Sequence, residues 1–290
     1  MKSDTRTYKS LFLLILSMII FGTIGIFRRN IALPSEVLAF ARGIMGSVFL
    51  ILYRRIRGGK IVLSAVSGKN LILLVITGGL IGFNWILLFE AYNYTSVAVA
   101  TLCYYMQPVI VLLVSPVLLK ERLTARKSIC IGLAFLGMIL VSGILGGVQT
   151  GSGQITGVLC GLGAAVLYAS VVLLNKKITG VPVIEKTIIQ LFSAAVCLLP
   201  YLLLRGTLTA YTLDSFGIVM LLITGIVHTG IAYGLYFGAV ENLPAQTSAL
   251  FSYIDPVTAV LLSVLLLHEP MGVPGIIGTV LIIGAAIASE

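Results

Sequence analysis

The sequence predicts an all-α membrane protein in which ten transmembrane helices form two inverted-topology five-helix repeats. Three observations predict it. Hydrophobic residues make up 59% of the 290-residue chain and charged residues only 10%, against about 25% charged in ordinary soluble domains. Ten apolar stretches are each long enough to cross a bilayer. Landmark residues of the first half recur in the second at a nearly constant spacing.

The apolar excess, with a mean hydropathy of +1.11, is more than a soluble globule can hide. A helix needs about 20 apolar residues to cross a hydrocarbon core of roughly 30 Å, because each unpaired peptide group in lipid costs several kcal/mol. The stretches that qualify are 10–27, 35–53, 70–91, 96–119, 127–146, 154–174, 185–204, 216–239, 246–267 and 272–288. Turn residues separate them, as at Pro34-Ser35, Gly58-Gly59, Gly146-Gly147 and Gly180-Val181-Pro182. The basic start Lys2–Lys9 and the apolar run behind it imitate a signal peptide, but Arg28-Arg29 follow instead of a small-residue cleavage site. The segment therefore reads as a retained first helix.

Basic residues set the orientation, since positive loops stay cytoplasmic. With the N-terminus inside, 15 of the 19 Lys and Arg fall in inner loops, three (Arg28, Arg29, Arg205) fall outside, and Arg42 lies within the second span. Both termini are predicted to be cytoplasmic, in a multi-pass protein of the cytoplasmic membrane. The same distribution argues against nucleic acid as a partner, because the charges sit in short loops and not on an amphipathic face. Cys103, Cys130, Cys160 and Cys197 are isolated in apolar stretches, with no C-x-x-C spacing or clustered histidines. No metal site, disulfide framework or cofactor is predicted.

Pro182 follows Pro34 by 148 residues, and the same spacing joins Arg28-Arg29 to Lys176-Lys177, Tyr105 to Tyr253, Pro108 to Pro256 and Glu121 to Glu269. Upstream, Thr77-Gly78 and Thr224-Gly225 are 147 apart, which implies one inserted residue before Tyr253. The repeats are assigned to residues 1–147 and 148–290. Five helices is an odd number, so the second copy enters the membrane upside down, related to the first by a pseudo-twofold axis in the bilayer plane.

The stretch Tyr94 to Ala98, through Gln107-Pro108 to Leu119-Lys120-Glu121-Arg122-Leu123 and Gly132 to Gly137, resembles the signature of EamA-type members of the drug/metabolite transporter superfamily. Ala245 to Asp255-Pro256, with Leu267-His268-Glu269-Pro270 and Gly278 to Gly284, resembles it again. The resemblance implies ten helices in two inverted repeats, a central cavity and alternating access. It also implies a carrier of amino acids, amines, other metabolites or drugs. The second copy departs by placing His268 before the glutamate and no basic residue after it.

Polar groups deep in spans point to a transport site, because a central Arg or Asp costs about 2.5–3.5 kcal/mol on insertion scales. At 1.5 Å per residue, Arg42 lies about 10 Å below the outer end of its span, Gln107 roughly 17 Å into the fourth and Asp255 roughly 14 Å into the ninth. Gln107 and Asp255 are offset mates. Pro108 and Pro256 are expected to kink these helices and to leave the Tyr104 and Ser252 carbonyls unpaired. Plain packing is the competing reading.

Asp255 reads as a proton acceptor or counter-ion to a cationic cargo, or else as a structural ion-pair partner of Arg42. Arg42 in turn can hold a cargo carboxylate. Tyr104 shares a helix face with Gln107, and Ser252 with Asp255. With Trp85, Tyr253 and the further rings Tyr105, Tyr168, Tyr233 and Tyr236, they could cage an ammonium group by cation–π attraction. A core role competes for most of these rings. Asp255, Glu90 and His228 are the proton-coupling candidates, with neutral packing the alternative for His228. Glu121 and Glu269 read as helix-end caps. Glycines of the fifth and tenth spans read as close-contact points of buttressing helices.

The function predicted is a secondary transporter that moves a small polar metabolite, an amino acid or amine, outward across the cytoplasmic membrane by alternating access. Proton coupling and the oligomeric state are open, with a monomer consistent with the sequence. A membrane-embedded enzyme is the rival, against which stand the missing H-E-x-x-H, G-x-S-x-G and P-loop motifs. A carrier of drugs or nucleotide-type metabolites is the other alternative.

Overall fold

The computed structural model describes residues 2–57, 66–94, 100, 103–141, 154–267 and 272–288. The repeat boundary, the first part of the fourth predicted span, the end of the fifth with Gly143, and His268-Glu269-Pro270 lie outside the described residues. Among the described residues every regular element is a helix. They are α1 (Lys2–Arg29), α2 (Ser35–Ile56), α3 (Gly68–Tyr94), α4 (Gln107–Leu118), α5 (Ala125–Val141), α6 (Gln154–Asn175) and α7 (Val183–Arg205). There follow α8 (Ser215–Val240), α9 (Ala245–Phe251), α10 (Ile254–Leu267) and α11 (Val273–Ala288).

Six helices, α1, α2, α3, α6, α7 and α8, are individually long and apolar enough to cross a membrane. Their outward faces stay apolar, as at Leu52, Phe83, Val166, Leu204 and Leu222. That pattern suits lipid and not water, as in a multi-pass membrane protein.

Local chemistry sets the boundaries. Pro34 and Pro182 precede α2 and α7 with nearly the same backbone, φ −55°, ψ 150° and φ −58°, ψ 146°, because the ring fixes φ and only the residues behind it can turn helical. The Asp214 carboxylate accepts from the Gly217 N–H at 2.9 Å and caps α8. α8 is not uniform: Ile226–Ile231 winds as π-helix between α-helical flanks. A π-turn accommodates one extra residue in a helix, and it falls where the change in offset from 147 to 148 demands one.

The two halves interlock. α3 packs against α6 and α7, while α8 packs against α1 and α2. Gly78 makes the first crossing close, since a Cβ there would lie 2.5 Å from the Gln190 carbonyl oxygen. Gly225 does the same for the second, against Met45. α5 and α11 pair with one another at Gly137, where a Cβ would lie 2.6 Å from the Gly278 oxygen.

The fourth and ninth spans are interrupted and not simply kinked. Turns at Tyr105-Met106 and Ser252-Tyr253, which share the offset mates Tyr105 and Tyr253, end one helical segment and begin the next. Pro108 and Pro256 thus sit in the first turns of α4 and α10, where a missing N–H is tolerated. This corrects one expectation: the Ser252 carbonyl accepts from the Asp255 N–H at 3.3 Å and is no orphan.

Candidate functional site

Residues related by a twofold axis can touch each other only close to that axis. Three offset mates do. The Trp85 indole N–H donates to the Tyr233 hydroxyl at 2.9 Å, and the Tyr253 hydroxyl donates to the Tyr105 carbonyl at 3.1 Å. A Cβ on Gly43 would come within 3.0 Å of the Leu191 oxygen. The pseudo-axis therefore threads α2 and α7, the Trp85–Tyr233 pair and the two helix breaks.

A cavity of about 270 Å³ surrounds this line, walled by α1, α2, α3, α6, α8 and the broken helices. Of the residues predicted for the site, Arg42, Trp85, Tyr104, Gln107, Ser252 and Asp255 line it, as does the Pro256 ring. Tyr253 lies behind the wall, fully buried. Glu90 is not among the lining residues. His228 is packed away from the cavity: its Nε2 lies 2.7 Å from the Thr23 hydroxyl and its ring 4.7 Å from that of Phe27.

The lining combines charge with an aromatic wall. Arg42, only 3% exposed, donates from Nε to the Thr229 hydroxyl at 3.0 Å and lies over the Trp85 ring, 4.6 Å from its centroid. No ion pair joins it to Asp255 among the described residues. Tyr105 lines the cavity together with Asp255. Among the described residues the buried Gln107 Nε2 has no partner. Tyr104, Tyr105, Tyr168 and Tyr233 supply rings around these groups, in edge and tilted contacts worth about 0.5–1.5 kcal/mol each.

Asn84, Phe21, Arg28 and the supporting Thr229 were not predicted. Asn84, whose amide donates to the Ala164 carbonyl at 2.7 Å, had a signal, a polar residue inside the third span. Phe21 had none, because an aromatic residue in an apolar run looks alike toward lipid and toward a cavity.

The cavity reaches from the helix breaks toward the Arg28 end of the bundle, with Ile24, Arg28, Leu88 and Phe89 along its length. At the other end the path is filled. Tyr168 and Tyr236 stack with centroids 6.1 Å apart. Beyond them Lys176 donates to the Val240 and Leu243 carbonyls. Lys186 bonds the Ile178 carbonyl at 3.1 Å and pairs with Glu241 at 3.7 Å, and Arg54 pairs with Glu185 at 2.8 Å. Burial lowers the Lys176 ammonium to about 8, with Glu121 and Glu241 pulling it back up. The Glu121 carboxylate meanwhile accepts from the Ala245 N–H at 2.9 Å and caps α9.

A profile of the EamA-like transporter family matches residues 8–143 and, a second time, residues 155–289. The Bacillus subtilis uncharacterized transporter YxxF is 30% identical over 249 residues, which is 86% of this chain and 79% of that protein. The RarD protein of Salmonella typhi is 26% identical, over 71% of this chain and 67% of its own. A solved structure described only as a crystal structure of a protein superposes with a TM-score of 0.83 at 19% identity, covering 97% of both chains, and so shares the fold.

Proposed function

The chain belongs to the EamA-like transporter family, a transporter family and not an enzyme family, and from that premise we propose how it works. The protein is a secondary carrier of a small polar metabolite, an amino acid or amine, and exports it across the cytoplasmic membrane by alternating access. Its two inverted repeats, 1–147 and 148–290, rock about the pseudo-axis while the cargo sits between them.

One observation carries the reading: the charged cavity lies where offset mates touch, with one end lined and the other filled. A site on the axis stays equidistant from both repeats as they exchange conformations, which alternating access needs. The charge bias of the loops supports reading the filled end as cytoplasmic, with both termini on that side. The conformation described is then the one closed to the cytoplasm. Asp255, Arg42, Gln107, Tyr104, Ser252 and Trp85 contact cargo, and a monomer suffices. Asp255 is the proton-coupling group, because Glu90 and His228 stand off the cavity. The membrane potential, about 2.3 kcal/mol per charge per 100 mV, supplies the driving force.

The test is a thermal-shift screen of the purified protein against amino acids, amines, nucleosides and sugars. A cargo at 100 times its Kd adds about 2.7 kcal/mol of stability. The hit is then followed by flux through proteoliposomes. Hits among amino acids or amines, with flux, support the reading. Conversion of a hit to product without flux would make the protein an enzyme instead.

A further inference from the structure

We infer that the single residue inserted in the π segment Ile226–Ile231 makes Arg42 the binding group for an acidic moiety of the cargo, with Thr229 as its positioning residue. The inference deepens the reading of the cavity as the cargo site and rests on it.

The observation behind it is a broken symmetry. At the crossing of α3 and α7, the Gln190 Nε2 donates to the Thr77 hydroxyl at 2.6 Å and to the Asn175 Oδ1 at 2.8 Å, and the residue is fully buried. Arg42 is the mate of Gln190, and Thr224 the mate of Thr77. Arg42 does not bond Thr224, whose hydroxyl goes back to the Met220 carbonyl at 2.8 Å. The extra residue brings a different side chain, Thr229, into reach. Its hydroxyl donates to the Thr224 carbonyl at 2.9 Å, five residues back in the π register, and accepts from the Arg42 Nε. Fixed there and laid over Trp85, the guanidinium is held at Nε alone. Its two Nη groups have no partner among the described residues, and Arg42 lines the cavity.

A buried cation without a counter-ion is costly. Asp255, the one carboxylate among the described residues that line the cavity, forms no ion pair with Arg42. A bare amine would satisfy Asp255 and leave Arg42 unmatched. A cargo with a carboxylate satisfies it, because the planar Nη pair fits two carboxylate oxygens. The unpartnered Gln107 Nε2 offers the same group a further donor.

Trp85 is the only tryptophan in the chain, so intrinsic emission reports on the face that Arg42 covers. The experiment titrates the purified full-length protein with L-phenylalanine, phenylacetate and phenethylamine, and with L-leucine, isovalerate and isoamylamine. Arg42→Gln, Arg42→Lys and Thr229→Val are titrated beside the wild type, each checked for a folded, monodisperse state. The expected result is a saturable change with at least one acid-bearing compound. Its apparent Kd rises at least tenfold in Arg42→Gln, less in Arg42→Lys, and about three- to tenfold in Thr229→Val. The amine of the same series shows no such dependence. No saturable response to any acid-bearing compound, or an unchanged Kd in both Arg42 variants, overturns the inference. An unchanged Kd in Thr229→Val alone removes the positioning role. Acid binding that depends on Arg42 without any flux would sink the transport reading and leave this one standing.

Discussion

The α2–α8 and α3–α7 crossings are built from mated residues, yet one ends in an unmatched charge facing a cavity and the other in a sealed amide knot. Both begin with a Thr-Gly pair that lets the helices pack closely, Thr224-Gly225 against the Met45 side chain and Thr77-Gly78 against the Gln190 backbone. They part at one position. The Gln190 crossing is held by neutral hydrogen bonds inside a continuous α-helix, and the Arg42 crossing by a hydroxyl delivered through a π-turn. An inverted repeat thus supplies the axis and the path, and a one-residue departure from it supplies a chemically distinct wall. A binding site for an asymmetric molecule needs that departure.

The largest effect expected on the α3–α7 crossing is steric. Gly78→Ala places a methyl group 2.5 Å from a backbone oxygen that cannot yield, and we expect a loss of about 2–3 kcal/mol in detergent stability. Gly284→Ala, with nothing within 4 Å of the added Cβ, should stay within about 0.5 kcal/mol of wild type. Equal behaviour of the two would mean that the α3–α7 contact is not close.

Next is the sealed knot itself. Gln190→Leu removes the donor to the Thr77 hydroxyl, which keeps its own bonds to the Leu73 and Leu74 carbonyls, and leaves the Asn175 Oδ1 without one in the interior, and should cost about 1–3 kcal/mol. It should leave the acid-to-amine preference untouched, whereas Arg42→Gln does the reverse. A shift of ligand preference in Gln190→Leu, measured by the same Trp85 titrations, would show that the two crossings are not independent.

A pH effect of about 2 kcal/mol at most is expected at the filled end. The Lys176 ammonium falls from an ordinary 10.5 to about 8 on burial. The folded state therefore binds fewer protons than the unfolded one between these values, and its stability rises with pH across that window. Between pH 7.5 and 9.5 the wild type should gain on Lys176→Gln in thermal unfolding. Parallel curves would mean that Lys176 is hydrated. Smallest is the cap: Glu121→Gln weakens acceptance from the Ala245 and Gln246 N–H groups and should lower stability by about 0.5–1 kcal/mol.

Much of this was legible in the residues. The spacing of Pro34 and Pro182, Tyr105 and Tyr253, and Pro108 and Pro256 foretold mated helix starts and mated breaks, because proline and its neighbours constrain the backbone locally. The change from 147 to 148 foretold an inserted residue, but not that it would take the form of a π-turn or bring Thr229 to Arg42, since that depends on which helix lies alongside. The Ser252 carbonyl was misjudged for a related reason. Proline breaks a bond to the carbonyl four residues earlier, and a tight turn restores a different one. His228 looked like Asp255 in sequence, a lone titratable group in an apolar span, and only the packing of α1 against α8 turns it away from the cavity.

In alternating access the axial cavity meets one side of the membrane at a time. The direct measurement is thiol accessibility at Ser252→Cys, a lining position, in a background whose four cysteines are replaced, using an impermeant reagent on vesicles of known orientation. Modification is expected from the outer face alone in the conformation described. After addition of a compound that the protein carries, modification should appear from the cytoplasmic face. Modification from both faces at once, or from the cytoplasmic face alone without cargo, would contradict it.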